Sequence, residues 1–280
     1  MDANQREVVV ITGAGAGVGR AVVNEFAAHG ASIGLISRNS ERLESARKQV
    51  EQAGGRALPL ACDVAHADEV ERAAERVENE PGTNEGAGPG RVVQVGSALA
   101  YRSIPLQSPY CGAKHAMVGF TDSLRCELIH QKSNVHLTVV HLPAVNTPQF
   151  SWRRTRLPRH PQPVPPIFEP EVPAAIYRAA HHRRREVFVG GSTVKAIYGQ
   201  NVAPGFADWY LGRNGYESQK TEEPISPNLP IICSRPRRGL TPHAGSFRIV
   251  RRVSAFRTGR TCIGGWFPWW EVGPQRWSMR

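Results

Sequence analysis

Short apolar runs alternate with charged, helix-patterned stretches along the first half of the chain. EVVVIT (7–12) is β-branched and unbroken, the pattern of a strand buried on both faces. GAGAGVGR follows, then a helical pattern that runs through Ala28 and stops at His29 and Gly30. ASIGLISR (31–38) predicts a second strand, and Ser40 reads as the cap of the charged helix ERLESARKQVEQAGG. ALPLACDV (57–64) predicts a third strand and HADEVERAAERVENE (66–80) a third helix. RVVQVGS (91–97), a long helix over 108–130 opened by Ser108 and Pro109, VHLTVVHLP (135–143) and REVFVG (185–190) continue the series. The alternation predicts an α/β fold, a doubly wound parallel sheet of Rossmann type.

Two stretches break the pattern. NEPGTNEGAGPGRVVQVGS (79–97) passes from a helix end to a buried strand through a short Gly/Pro-rich run. Residues 151–173 are Pro-rich and sit between elements, the position of a functional or mobile loop. Beyond about Asn228 no periodicity is found. We therefore divide the chain into a nucleotide-binding domain over 1–215 and an irregular, basic extension over 216–280, expected to be disordered.

The net charge of +11 belongs mostly to that extension. Residues 231–280 hold ten arginines against the single acid Glu271, together with Trp266, Trp269, Trp270 and Trp277. Arginine interleaved with tryptophan can grip phosphates and stack bases, but an unstructured basic end is the simpler reading, and nucleic acid is not expected as a partner. No run approaches the roughly 18 apolar residues of a membrane span, and the polar N-terminus does not read as a signal peptide. The five cysteines lack zinc-like spacing and read as reduced thiols of a cytoplasmic protein.

Candidate chemistry begins at the first βα turn, with Thr12, Gly13, Gly15, Gly17 and Gly19. Glycines let a backbone turn sharply against a pyrophosphate, and a helix N-terminus offers it free N–H groups. A strand before the turn and a helix after it make nucleotide binding the preferred reading. The second strand ends in Ser37 and Arg38 rather than the acid that would bind the ribose hydroxyls of NAD. A guanidinium there suits a 2′-phosphate, so NADP is expected ahead of NAD. Asp63 can accept from the adenine amino group or serve as a turn acid before the next helix.

Tyr110 and Lys114, four residues apart, share a helix face, and Ser97 ends the strand before them. A nearby ammonium and a cationic nicotinamide would lower the tyrosine's pKa from about 10 and let it exchange a proton with a substrate oxygen. Ser97 would orient that oxygen, and Lys114 would hold the cofactor's ribose. His141, within an apolar strand, reads as a satisfied core histidine, and HHRRRE (181–186) as a solvated helix end rather than a metal site.

These motifs resemble the short-chain dehydrogenase/reductase family. TGAGAGVG resembles its TGxxxGxG signature, CDV its adenine-pocket stretch, and GSALAYRSIPLQSPYCGAK its Ser…YxxxK segment. LPAVNTP resembles its PGxxxT stretch, with Ala144 where glycine is usual. The resemblance implies Ser97, Tyr110 and Lys114 as catalytic residues. It implies cofactor contacts at Thr12, Gly13, Gly17, Val18, Gly19, Ser37, Arg38, Asp63 and Val64, at Tyr110 and Lys114 themselves, and at Thr147. It implies a small carbonyl or alcohol substrate and a homo-oligomer. Family members also place an NNAG-ending strand and a helix before the strand of the catalytic serine, and residues 80–90 cannot hold them. That strand lies at the sheet's centre, so its loss would bare two ladder edges, expose apolar surface on the helix of Tyr110, and weaken association. Two functions stay open: an NADP(H)-dependent oxidoreductase using Tyr110 as acid/base, or an internally deleted, non-catalytic relative with residual nucleotide binding.

Overall fold

In the computed structural model, which describes residues 7–80, 90–152, 155, 157–169 and 172–225, each strand expected over 7–97 forms within two or three residues of its anticipated ends. β1 (Val8–Thr12) runs parallel to β2 (Ser32–Ser37), and β2 runs parallel to β3 (Arg56–Ala61). Parallel pairing needs long crossovers, and α1 (Gly17–Ala28) and α2 (Ser40–Gln52) supply them. α1 buries Val22, Val23, Phe26 and Ala27, and α2 buries Leu43, Ala46 and Val50. Both end on a glycine at positive φ, Gly30 at 78° and Gly54 at 85°, whose N–H turns back onto the last carbonyls. Ser40 is the first residue of α2 and not its cap: Asn39 stands outside, and its side-chain oxygen accepts from the Arg42 N–H at 2.9 Å.

Arg20 on α1 has no exposed surface and, among the described residues, no carboxylate partner. Its guanidinium donates to Gln49 Oε1 at 2.8 Å, the Arg42 carbonyl at 2.9 Å and Ser45 Oγ at 2.8 Å. Burial pulls its pKa down to about 10, still above working pH, so a cation bonded through all three nitrogens pins α1 to α2. On the opposite face, α3 (Ala67–Glu78) sets Ala73 and Val77 against Ile36, Leu58 and Leu60.

The second half repeats the theme with β4 (Arg91–Ser97), α4 (Ser108–His130), β5 (His136–Leu142) and β7 (Glu186–Phe188). The six parallel strands form two sheets of three, β1-β2-β3 and β4-β5-β7, rather than one. Among the described residues, β1 and β4 each have a single strand neighbour. Val10 on β1 is 45% exposed and Val92 on β4 is 44% exposed, positions a continuous sheet would cover. Residues 81–89, on which the expected missing unit falls, lie outside the described residues.

α6 (Pro173–His181) holds the halves together by touching α1, β4 and β5. Its Ala175 and Ile176 join a core that draws Ile11 and Val23 from one half and Val140 and Leu142 from the other. Tyr177 meets Phe26 edge-on with ring centroids 5.0 Å apart and stacks on His29 at 4.0 Å. The opposite face is thin, because α4 buries only Cys111 and Thr121 of its 23 residues and leaves Phe120 and Ile129 exposed.

The chain then adds α5 (Gln149–Trp152), β6 (Arg159–Pro161), α7 (Gly191–Val202), α8 (Pro204–Asn214) and β8 (Lys220–Pro224). The Pro-rich stretch thus contributes a strand, since β6 pairs antiparallel with β8. The fold also continues past residue 215. Gln219, 1% exposed, donates from Nε2 to the carbonyls of Pro105 at 2.8 Å and Gly215 at 2.7 Å. The boundary expected at 215 is corrected to at least residue 225; the basic stretch from 226 lies outside the described residues. No described helix is long and apolar enough to cross a membrane.

Candidate active site and cofactor cleft

The turn after β1 is built to meet an anion. Gly13 and Gly17 take positive φ, 73° and 57°. Ala16 caps α1 without a side-chain hydrogen bond, which leaves first-turn N–H groups for a ligand. A Cβ on Gly19 would fall 2.3 Å from the Gly13 carbonyl oxygen, so helix and turn close on each other with no space for a side chain. Thr12 ends β1 at the mouth of this turn, and Val18 lines the cavity beside it. This cradle fits a dinucleotide pyrophosphate.

Ser37, Arg38, Asp63 and Val64 gather at the adjoining ends of β2 and β3. A Cβ on Gly15 would lie 2.8 Å from Ser37 Oγ, so Ser37 abuts the turn. Arg38, 60% exposed, has Nη1 3.8 Å from Asp63 Oδ2. Asp63 also fills the turn role, accepting from the Ala65 N–H at 3.1 Å. Val64 is largely exposed. The two charged candidates therefore face each other across the adjoining strand ends.

Ser97, Tyr110 and Lys114 line one cavity with Gly17, Val18 and Thr147. Ser97 is 7% exposed, and its hydroxyl accepts from the Leu99 N–H at 3.2 Å. Tyr110 stands in the first turn of α4. Burial pushes its hydroxyl above the usual tyrosine range, while the Ser97 hydroxyl pulls the other way. The direction in the chain alone is thus opposite to the lowering expected with a cationic nicotinamide present. Lys114 has Nζ 5.7 Å from the Tyr110 ring centroid and donates to the Val95 carbonyl at 2.8 Å. β4 has one strand neighbour, so carbonyls on its bare edge need other donors, and this ammonium supplies one. Burial lowers the pKa of Lys114. Thr147 meets the turn directly, because a Cβ on Gly17 would lie 3.5 Å from Thr147 Cγ2.

A buried polar cluster backs Ser97. His141 on β5 has no exposed surface, and its Nδ1 lies 3.2 Å from the Ser97 carbonyl. A carbonyl only accepts, so Nδ1 carries a proton. The ring sits where a side chain at position 96 would go: a Cβ on Gly96 would be 2.8 Å from His141 Nδ1. Glu186 approaches His141 Nε2 at 3.6 Å and accepts from the Tyr101 hydroxyl at 3.0 Å. The His141 ring and then the Tyr101 hydroxyl hold the Glu186 carboxyl below the usual range, against burial. A carboxylate with a depressed folded pKa contributes stability above its unfolded value and loses it as pH falls through the folded one. The melting temperature should therefore drop as pH falls below the ordinary glutamate value of about 4.3, and Glu186→Gln should flatten that decline. A parallel decline in both proteins, followed by thermal melts, would sink the assignment.

The cavity holds about 690 Å³. Its far wall is α7 and α8, with Ala196, Ala203, Phe206 and Leu211, and Pro163–Pro166 closes one side. The Pro-rich segment thus shapes the cavity, as its place suggested; the Trp152 side chain lies outside the described residues. Sequence reasoning missed Arg102 in this wall. The one signal was a lone arginine within the apolar run ALAYRSIPL. HHRRRE ends α6 and enters β7, and no metal-binding group of side chains occurs among the described residues.

Known proteins resemble the chain in sequence and fold. A model of the short chain dehydrogenases matches residues 7–85 and 83–156, two segments that meet where the sequence passes abruptly from helix to strand. An uncharacterized oxidoreductase, YxnA, of Bacillus subtilis is 27% identical over 270 residues, covering 79% of this chain and 76% of its own. Among solved structures, L-sorbose reductase of Gluconobacter frateurii, in complex with NADPH and L-sorbose, superposes with a TM-score of 0.56. It is 22% identical and covers 69% of this chain and 98% of its own. A short chain dehydrogenase of Mycobacterium paratuberculosis bound to NAD gives 0.53 at 19% identity, covering 69% of this chain and all of its own. With half of the chain matched by the family model, and the turn and side chains that it implies gathered around one cleft, the chain belongs to the short-chain dehydrogenase family.

Proposed function

We propose that the chain is an NADP(H)-dependent oxidoreductase that interconverts a carbonyl compound and a secondary alcohol. The observation that carries this is the convergence of Ser97, Tyr110 and Lys114 with Gly17 and Thr147 on a single cavity. The nicotinamide supplies or accepts the hydride when bound. Tyr110 gives its hydroxyl proton to the carbonyl oxygen in reduction and takes it back in oxidation. The Ser97 hydroxyl accepts from Leu99 and keeps its own proton on the Tyr110 side, where it can donate to the same oxygen. Lys114 spends one N–H on Val95 and keeps two for the cofactor's ribose hydroxyls. NADP is favoured over NAD because an exposed guanidinium stands at the end of β2 where the family's NAD readers carry an acid.

The bare edges of β1 and β4 favour a second reading, a nucleotide-binding member without turnover. Titration of the full chain with NADPH and NADH, followed by fluorescence and thermal shift, separates the two. Saturable NADPH binding at least about tenfold tighter than NADH is expected from a guanidinium–phosphate contact. Arg38→Gln should close that gap. Binding with no turnover on a panel of ketones selects the second reading, and no binding of either nucleotide overturns both.

A further inference from the structure

The cavity wall formed with α7 and α8 carries positive charge that the proposed reaction does not use. Arg102 leaves the short 3-10 turn after Ser97 and reaches α7 and α8. Its Nη1 donates to Gln200 Oε1 at 2.6 Å and its Nη2 to Asp208 Oδ1 at 2.6 Å. The side chain is 13% exposed, and Nε is buried with no hydrogen-bond partner. Asp208 is 72% exposed, so water screens it and it neutralises the guanidinium weakly. The cavity that Arg102 lines also takes Lys114 and Lys195, and no Asp or Glu among its described lining residues. Beside these cations the wall offers the apolar side chains Ala203, Phe206, Ala207 and Leu211, with Gln200 and Tyr210 among them.

A guanidinium in a largely enclosed wall, faced by one well-exposed carboxylate and keeping a second N–H on each Nη, is costly until an anion meets it. The apolar surface beside it asks for a hydrocarbon body. We infer that the substrate is an aliphatic oxo acid, or the matching hydroxy acid, whose carboxylate is read by Arg102 and Lys195. Resting on the reaction proposed above, this names its substrate class. The ketone carbon gains a hydride from the reduced nicotinamide, which becomes the oxidised cation. The ketone oxygen gains the Tyr110 proton, and the carboxylate is unchanged.

The test uses the full chain and ligands that cannot react. Decanoate, 1-decanol and methyl decanoate are titrated by calorimetry. Decanoate should bind at least about tenfold tighter than either neutral analogue, the size of one charge-assisted contact. Arg102→Gln should remove most of that preference. Lys195→Gln, at an exposed position on α7, should reduce it severalfold with the fold intact, so the inference does not depend on how Arg102→Gln folds. Equal affinity for decanoate and 1-decanol, or no affinity for decanoate, overturns it. Turnover then separates the two proposals. A decanoate preference without NADPH-dependent reduction of 9-oxodecanoate keeps the anion site and removes the reductase reading. Faster reduction of the methyl ester than of the acid keeps the reductase and removes the anion site.

Discussion

Tyr110→Phe is expected to lower NADPH-dependent turnover about 1,000-fold, the middle of the range for loss of a positioned proton donor. Nicotinamide nucleotide affinity should change by less than about threefold, because the ring and its packing are retained. The loss should fall on kcat rather than KM, since the phenol contributes most when charge develops on the substrate oxygen. Direction of titration supports the role in reduction: burial keeps the hydroxyl protonated beyond the usual tyrosine range, so the donor form persists through neutral pH. Ser97 alone cannot replace it, because a serine hydroxyl holds an oxygen in place but is a poor acid. Steady-state kinetics beside a fluorescence titration gives both numbers. A variant that keeps a tenth of the activity would mean that another group delivers the proton. Tyr210, the other tyrosine lining the cavity, would be the next to change.

How far the sequence reveals this site depends on where each residue's role arises. That Ser97, Tyr110 and Lys114 gather on one cavity was legible because strand ends and helix spacing decide their neighbourhood locally, and β4 and α4 form over 91–97 and 108–130 as their patterns predict. Arg102 was not, because its partners Gln200 and Asp208 lie 98 and 106 residues away on helices with weak signals. α7 buries only Thr193 and Ile197, since one side of it faces the cavity rather than the core, and so shows little of the periodicity a packed helix shows. α6 hid behind the Pro-rich run: Pro173 opens it and reads equally as the end of a loop. His141 was read as a core histidine, and its place against the Ser97 carbonyl became visible only once β4 and β5 paired with Gly96 opposite it.

The split sheet bears on how the cleft is held together. In a continuous doubly wound sheet the cofactor cleft opens where strand order reverses, flanked by strands that hold each other rigid. Here the glycine turn hangs on β1 and Ser97 on β4, and those strands do not pair. Their relative position rests on α6 and on the shared core around Ile11, Val140 and Ile176. Lys114 reflects the same strain on hydrogen bonding, since its ammonium serves the Val95 carbonyl. Binding of a nucleotide that touches both β1 and β4 would therefore tie the halves together. Ligand bound to the folded state alone stabilises it by about 2.7 kcal/mol at 100 times its Kd, and the thermal shift with NADPH reads that coupling directly.

Gly19→Ala should cut NADPH affinity on the order of 100-fold, equivalent to about 2.7 kcal/mol, and lower the melting temperature as well. The new methyl carbon would stand 2.3 Å from the Gly13 oxygen, 2.7 Å from the Gly13 carbonyl carbon and 3.3 Å from the Ala14 nitrogen. All three are main-chain atoms, so no side chain can swing aside; the turn itself must open. Gly13 sits at φ 73°, a conformation few other residues adopt, and its N–H and carbonyl directions are part of the cradle. Opening the turn moves the α1 N-terminus away from the pyrophosphate while leaving Ser97 and Tyr110 in place. Affinity for nucleotide should therefore fall far more than affinity for decanoate. Gly119→Ala on α4 is the control. Its Cβ meets nothing within 4 Å, and alanine in a helix interior is favoured over glycine by about 0.5–1 kcal/mol. That variant should melt slightly higher and bind NADPH normally. Equal NADPH affinity in both variants would mean that the turn tolerates a side chain and does not cradle the pyrophosphate as its geometry implies.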